Sequence, residues 1–319
     1  MITLASSGRV LAALRTSREI ACTAYVLRPG PVLDGLESAA RRGAQVVVRL
    51  EGRPYNDAAG GLQRANAAAI RALQSAGADA RLVDRMGGDG PALHAKAIVA
   101  DGTAYLDDCN WLRGGGDTIV RDDASSDVAM VRDAVYGTGD APSPVFALRK
   151  RDALIGEARV IDEVAGSRID VASESIGNGN RVFQAIDARA KSGALVRLLV
   201  CARDLRAGAR ERAALATLAR DGVQIRSSPA SEKFALDGAR AWVGSANASA
   251  AFACPDQLDW GLATRARDVI AHLRAHFDAR WATGHAVDET AHGSEHLSAR
   301  PHRPTGAPAT RPPAQPCVR

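Results

Sequence analysis

The feature that most constrains the fold of this chain is an internal repeat. An Ala-rich stretch that ends in a glycine and runs into an apolar segment occurs at 32–50 and again at 182–200, a shift of 150 residues. A second match links 69–81 with 214–226 at a shift of 145 residues. Self-similarity at this period predicts two copies of one structural unit.

Within the first copy, short apolar runs alternate with stretches of helical periodicity. The strands are predicted at 20–27, 44–50 and 80–83, and the helices at 32–42 and 61–76. Each helix is followed by a glycine, a common stop signal at the C-terminus of a helix. Strands and helices in βαβα order predict an α/β fold of two tandem lobes, each a mainly parallel sheet flanked by helices.

The repeat also sets the expected domain boundaries. We expect the first lobe at 1–140 and the second at 141–284, with a helical stretch over 145–164 that bridges them. Residues 285–319 contain six of the fourteen prolines and few apolar residues, which predicts a disordered tail.

Composition narrows the class of protein. A net charge of +5 over 319 residues is no nucleic-acid-binding signature, and 4% aromatic residues are too few for a base-stacking platform. The five cysteines lack a CxxC pair, which favours reduced thiols. The first residues do not resemble a signal peptide, and no apolar run could span a membrane, so we expect a cytoplasmic protein without a transmembrane segment.

A short motif occurs once in each copy of the repeat. The first is His94-Ala-Lys96 with an asparagine at 110, and the second is Ser231-Glu-Lys233 with an asparagine at 247. The spacing from lysine to asparagine is fourteen residues in both, and the chain has only four lysines. Strand alternation would place His94 and Lys96 on one face, because side chains repeat every two residues.

These motifs resemble those of the phospholipase D superfamily, whose signature is His-x-Lys, four residues, Asp, then Gly-Ser-x-Asn, once per lobe. The resemblance covers about residues 1–283. It implies two lobes around one pseudo-twofold cleft, in which a histidine attacks phosphorus and forms a phosphohistidine. A second histidine transfers protons, and neither a metal nor another cofactor is needed.

Carried over to this chain, the resemblance makes His94 the nucleophile. The two lysines would bind phosphate oxygens, and the two asparagines and Ser245 would donate hydrogen bonds to them. Asp259 would orient the histidine, while Asp101 and Asp237 would support the motif loops. The predicted catalytic residues are His94, Lys96, Asn110, Lys233 and Asn247, and the supporting residues are Asp101, Ser231, Asp237, Ser245 and Asp259.

The chain departs from the family pattern at three places, one of which is a residue missing between Lys233 and Asp237. Ser231 stands where the second histidine is expected, and a serine hydroxyl cannot act as a general acid near neutral pH. Asp107 and Asp108 replace Gly-Ser in the first motif, and their charge would repel a phosphate if both faced the cleft.

The leading hypothesis is therefore a phosphodiesterase or phosphatidyltransferase acting through His94, with phospholipid favoured over nucleic acid as the substrate. The alternatives are a catalytically impaired relative that binds phosphate-containing ligands, and a nuclease. We expect a monomer whose repeat forms an internal pseudo-dimer, with peripheral membrane contact left open. His272 and His276, spaced i, i+4, fit a metal site less well than a solvated helix face.

Overall fold

The computed structural model describes residues 1–54, 57, 59–83, 92–111, 118–136, 146–163, 168–201, 208–229, 231–249 and 257–287. In this part of the chain two sheets form two lobes, each with helices packed against it. The predicted two-lobe α/β architecture is confirmed. Most of the predicted tail, 285–319, lies outside the described residues.

The first sheet has the strand order β1-β7-β6-β5-β2-β3-β4. Its strands are β1 (Thr3–Ala5), β2 (Glu19–Ala24), β3 (Gln45–Glu51), β4 (Asp79–Val83), β5 (Ala97–Ala100), β6 (Thr103–Asp107) and β7 (Ile119–Asp122). The helices of this lobe are α1 (Ser7–Thr16), α2 (Pro31–Arg41), α3 (Gly61–Ser75) and α4 (Ser125–Tyr136).

The second sheet has the strand order β15-β11-β10-β9-β12-β13-β14-β8. Its strands are β8 (Phe146–Arg149), β9 (Arg168–Ser173), β10 (Leu195–Cys201), β11 (Gln224–Ser228), β12 (Phe234–Leu236), β13 (Ala241–Gly244), β14 (Leu258–Thr264) and β15 (His285–Ala286). The helices are α5 (Lys150–Asp162), α6 (Arg181–Lys191), α7 (Ala209–Arg220) and α8 (Arg267–Thr283).

Both sheets are mixed, which corrects the expectation of mainly parallel sheets. The parallel part is limited to β2-β3-β4 in one lobe and β9-β10-β11 in the other. The motif strands β5, β6 and β7, and likewise β12, β13 and β14, pair antiparallel. The tight connections after β5 and β12 account for the difference, because a short turn can join only antiparallel neighbours.

Equivalent turns support the repeat in detail. Gly43 and Gly193 have φ values of +89° and +86° and end α2 and α6. In both turns the next residue donates back across the helix end, from Ala44 N to the carbonyl of Ala39 and from Ala194 N to that of Arg189, each at 3.1 Å. Glycine readily adopts the left-handed backbone conformation found at this position, which explains why both copies of the repeat have a glycine there.

One hydrophobic core lies between the sheets and belongs to both lobes. It joins residues such as Val47 and Leu106 of the first lobe to Phe234, Trp260 and Phe277 of the second, all nearly inaccessible to solvent. Helices α4 and α8 contribute to this central core, while α1–α3 and α5–α7 contribute to separate cores of their own lobes. A shared apolar core holds the two motifs in a fixed relative position.

One predicted boundary needs adjustment. The stretch expected to bridge the lobes contains β8, which pairs with β14, and α5, which packs against α6 and β14, so it packs in the second lobe, within the range 141–284 expected for that lobe. The predicted tail begins at His285, yet His285–Ala286 forms β15 and pairs with β11. Backbone pairing at the sheet edge thus extends the second lobe past the predicted boundary.

Candidate active site

The backbone that carries His94 lies at the boundary between the lobes. The N–H groups of His94 and Ala95 both donate to the carbonyl of Leu258 on β14, at 2.9 and 2.7 Å. The prediction that His94 and Lys96 lie inside a strand is wrong: both precede β5, and the neighbouring Leu93 makes an isolated bridge to Leu258. At His94 and Ala95, backbone hydrogen bonds to the second lobe therefore take the place of strand pairing within the first sheet.

The imidazole of His94 faces a buried carboxylate from the second lobe. Asp259 Oδ1 lies 2.7 Å from His94 Nδ1, and Asp259 has no exposed surface. Asp259 also accepts hydrogen bonds from Ser245 Oγ at 2.7 Å and from Gln257 Nε2 at 2.8 Å. A carboxylate at Nδ1 assigns the proton to that nitrogen, so Nε2 carries the lone pair.

The electrostatics of this pair favour a neutral imidazole. Burial lowers the pKa of His94 to about 4, the charge of Lys96 adds to the effect, and Asp259 opposes it. Burial alone would raise the pKa of Asp259, but its interactions with His94, Lys96 and Ser245 hold it below the usual value. At neutral pH the site therefore contains an uncharged imidazole beside a carboxylate, the state in which Nε2 is nucleophilic.

Lys96 completes the first half of the site. Its ammonium group lies 3.1 Å from His94 Nε2, and burial together with Lys233 lowers its pKa to about 8. The Tyr25 ring meets the His94 ring edge-on with centroids 5.0 Å apart, and Lys96 Nζ lies 5.8 Å from the Tyr25 centroid. Tyr25 thus packs against both predicted catalytic side chains.

Lys233 occupies the matching place in the second half of the site. Its Nζ donates to the carbonyl of Ser231 at 2.7 Å and to that of Asp108 at 3.4 Å, and it lies 3.3 Å from Glu174 Oε2. Burial alone would lower the pKa of Lys233, but Glu174 and the neighbouring acidic groups raise it above its usual value. Lys233 also lowers the pKa of Lys96, so the two ammonium groups lie close enough to repel each other.

Ser231 has a thiol as its neighbour. Its hydroxyl lies 3.5 Å from Cys109 Sγ, and burial raises the pKa of that thiol. His272 and His276 lie on α8, where the Nδ1 of His276 is 3.6 Å from Glu232 Oε1. Where the family pattern has its second histidine, this chain therefore has Ser231 and, next to it, the protonated thiol of Cys109.

The two asparagines differ in their surroundings. Asn110 Oδ1 accepts a hydrogen bond from the N–H of Val26 at 3.3 Å, which leaves its amide nitrogen for the predicted donor role. Asn247 Oδ1 is buried and has no hydrogen-bond partner among the described residues. Both side chains are partly exposed.

Asp101 and Asp237 lie in turns and bind backbone. Asp101 Oδ1 accepts from the N–H groups of Arg18 and Glu19, both at 3.0 Å, and so connects its hairpin to the start of β2. Asp237 Oδ1 accepts from the N–H of Arg240 at 2.8 Å. These contacts are structural, as a supporting role requires.

Asp107 and Asp108 take the places of Gly244 and its following serine. The N–H of Asp107 donates to the carbonyl of Lys96 at 2.9 Å, and that of Gly244 donates to the carbonyl of Lys233 at 3.1 Å. Asp108 is fully buried, and burial followed by the charge of Asp107 raises its pKa well above the usual value. A protonated Asp108 would not repel a bound phosphate.

Four residues near the site were not predicted from the sequence. Gln257 lies two residues before Asp259, a spacing that places two side chains on one face of an extended segment and that the sequence itself displays. Lys150 donates to Ser249 Oγ at 2.7 Å, and its rarity as one of four lysines was another signal. Tyr25 and Glu174 follow β2 and β9 directly, outside any motif.

The described residues contain no group of three or more His, Cys, Asp or Glu side chains arranged to hold a metal ion. The rings of His272 and His276 are stacked, with centroids 5.3 Å apart. In the same part of the chain, every helix is too short or too polar to cross a membrane.

A comparison with known families gives a match in the second lobe. A family model described as "Cardiolipin synthase, PLD-like domain" matches residues 159–281. The second lobe is a phospholipase D-like domain. This confirms the resemblance seen in the sequence, although no curated protein matches the chain.

Two solved structures resemble this chain over both lobes. Phosphatidylserine synthase from Haemophilus influenzae Rd KW20 is 9% identical with a TM-score of 0.62, covering 90% of this chain and 87% of that one. Polyphosphate kinase from Porphyromonas gingivalis is 12% identical with a TM-score of 0.60; the match covers 88% of this chain but only 50% of the kinase. At these identities the likeness shows the fold alone, an architecture of two α/β lobes.

Proposed function

We propose that this chain cleaves or transfers phosphodiesters through a covalent phosphohistidine on His94. The observation that carries the proposal is the hydrogen bond between His94 Nδ1 and the buried Asp259, which directs the lone pair of Nε2 away from the carboxylate. Mechanisms of this kind need an uncharged imidazole, and the lowered pKa of His94 supplies it at neutral pH.

In the first step, His94 Nε2 attacks the phosphorus of the substrate. A P–N bond forms, the P–O bond to the leaving group breaks, and its electron pair goes to the leaving oxygen. Lys96 and Lys233 stabilise the charge on the non-bridging oxygens, with Asn110 and Asn247 as further predicted donors. Water or an alcohol then attacks the phosphorus and loses its proton, and the new P–O bond forms as the P–N bond to His94 breaks and its electron pair returns to Nε2. This step yields hydrolysis or transfer.

A phospholipid is the favoured substrate class. The domain family that matches the second lobe carries the name of cardiolipin synthase, and a phospholipid joins its glycerol to its headgroup through a phosphodiester. We extend the proposal to a cytoplasmic protein that meets the membrane at its periphery and acts as a monomer, since the repeat itself supplies both halves of the site. A nuclease is the alternative within the same chemistry.

Ser231 supports a second candidate function. Without a second imidazole, the protein would bind phosphate-containing ligands through Lys96 and Lys233 and turn over slowly or not at all. The loss of a general acid costs about 10²–10⁴ in rate. In this second function the protein still binds phosphate but no longer cleaves or transfers the phosphodiester.

The test uses bis(p-nitrophenyl) phosphate, whose leaving group needs little protonation. The first function predicts nitrophenolate release that His94→Ala abolishes, together with an acid-labile phosphoprotein absent from that variant. Phosphate binding without release would favour the second function. Parallel reactions with phosphatidyl vesicles, single-stranded DNA and duplex DNA then separate phospholipid substrates from nucleic acids.

A further inference from the structure

The two halves of the site differ at one structurally equivalent position. Thr23 on β2 pairs with Ala97, and Ala172 on β9 pairs with Phe234; Ala97 and Phe234 each directly follow a motif lysine. The residue two positions beyond Thr23 is Tyr25, and the residue two positions beyond Ala172 is Glu174. The first half of the site therefore has a phenol where the second half has a carboxylate.

The place of this carboxylate follows from the repeat. Tyr25 packs against the ring of His94, at 5.0 Å between centroids. By equivalence, we expect Glu174 on the side of position 231, where the family pattern has the second imidazole. The residue at this position is a serine, which is much shorter than a histidine.

Contacts of Glu174 agree with a position inside the cleft. Its Oε2 lies 3.3 Å from Lys233 Nζ, and its side chain keeps 20% of its surface exposed against 4% for Lys233. It also interacts electrostatically with His94 and Lys96. Glu174 is thus accessible to a small molecule such as water or an alcohol. It also interacts electrostatically with residues of both halves of the site.

We infer that Glu174 replaces the missing second histidine as the proton acceptor in the second step. A proton of the attacking water or alcohol passes to the Glu174 carboxylate, and the oxygen forms a bond to phosphorus. The P–N bond to His94 breaks and its electron pair returns to Nε2. Glu174 then releases the proton to solvent. The inference rests on the proposed phosphohistidine mechanism.

The pKa of Glu174 fits its role as a proton acceptor. Burial alone would raise the pKa of Glu174, but Lys233 and the other nearby cations lower it to about 2, so it is a carboxylate at neutral pH. When Lys233 turns to the phosphate oxygens, its ion pair with Glu174 weakens and Glu174 gains an anionic neighbour. Both changes raise the pKa of a carboxyl group, which makes it a stronger base once the phosphoryl group is bound.

The deciding experiment separates the two steps with bis(p-nitrophenyl) phosphate and the full chain. Glu174→Gln is expected to release about one nitrophenolate per protein and then to turn over roughly 10²–10⁴-fold more slowly than the parent protein, the usual cost of losing a general base. Acid-labile phosphoprotein should accumulate. The matched control is Glu163→Gln, which removes an exposed carboxylate paired with Arg240 in the same lobe and should leave the turnover rate unchanged.

A second variant guards against a merely structural effect. In Glu174→Ala, added sodium formate should restore the second step in proportion to its concentration, because a small carboxylate can enter the space left by the side chain. Turnover of Glu174→Gln within about threefold of the parent, or a defect in Glu174→Ala that formate does not relieve, would overturn the inference.

Outcomes for the parent protein separate this inference from the function on which it rests. If the parent protein releases no His94-dependent nitrophenolate, the proposed mechanism itself is wrong. If it releases one equivalent and stops, His94 is the nucleophile but Glu174 does not complete the cycle.

Discussion

Asp259 Oδ1 lies 2.7 Å from His94 Nδ1, although 165 residues separate the two in the chain. The first lobe supplies the predicted nucleophile, and the second supplies the carboxylate that orients it. Each of the two lobes therefore contributes a residue to the predicted active site.

Asp259→Asn should impair chemistry more than binding. An amide at this position no longer fixes the Nδ1 proton, so the wrong tautomer of His94 becomes accessible, and we expect kcat to fall on the order of 10²–10⁴-fold. Because Asp259 is fully buried, KM should change little. Ser245→Ala removes one donor to the same carboxylate and should cost less. Steady-state kinetics at pH 7 give both constants, and an undiminished kcat in Asp259→Asn would contradict an orienting role.

The pH profile of kcat/KM should be a bell with limbs near pH 4 and pH 8. Burial and Lys96 lower the pKa of His94 to about 4, so the rate rises as the imidazole loses its proton there and then levels off. Burial and Lys233 lower the pKa of Lys96 to about 8, so phosphate binding weakens above that pH as the ammonium group loses its charge.

Lys96→Arg tests the alkaline limb, because a guanidinium stays charged throughout this range. The limb near pH 8 should move upward in this variant even if the maximal rate is lower. An acid limb near pH 6.5 in the parent protein would indicate that the imidazole is solvated, in conflict with its buried position.

Ser231→His should raise turnover of substrates with alkyl leaving groups. An imidazole at this position supplies the acid that protonates a poor leaving oxygen, a gain on the order of 10²-fold. Little gain is expected with bis(p-nitrophenyl) phosphate, whose leaving group needs no acid. Ser231→Ala is the control for the loss of the hydroxyl. Equal rates for Ser231→His and the parent protein on an alkyl phosphodiester would argue against a missing-acid explanation.

Gly244→Ala should destabilise the second lobe by about 1–3 kcal/mol, as overpacking does in dense cores. A Cβ at Gly244 would lie 2.6 Å from the carbonyl of Trp260 and 2.7 Å from the indole of Trp242. Gly238→Ala, in the same hairpin, has no atom within 4 Å of its added Cβ and is the matched control. Urea denaturation gives both free energies of unfolding; similar values for the two variants would contradict the packing argument.

The sequence allowed most of the helices and parallel strands to be predicted, because glycines mark the helix ends and apolar runs mark the buried strands. Helix α2 was predicted at 32–42 and is found at Pro31–Arg41, and β3 was predicted at 44–50 and is found at Gln45–Glu51. The antiparallel motif strands were harder, since β12 and β13 are short and almost wholly buried and show no alternation.

The site was predictable only where a motif marked it. The lysines stood out through their rarity, and Asp259 through its distance from Asn247. Glu174 carries no local signature, since strand register alone brings the end of β9 beside Lys233. A contact set by register depends on tertiary structure, which a single sequence does not display.

The hydrogen bonds between residues 92–95 and β14 also bear on the order of events during synthesis. His94 leaves the ribosome 165 residues before Asp259, and the carbonyl of Leu258, which accepts from its N–H, follows just as late. A nascent chain that contains only the first lobe therefore carries the predicted nucleophile without the carboxylate at its Nδ1. Under the proposed mechanism, reactivity would be acquired late in translation, once the second lobe has docked on the first.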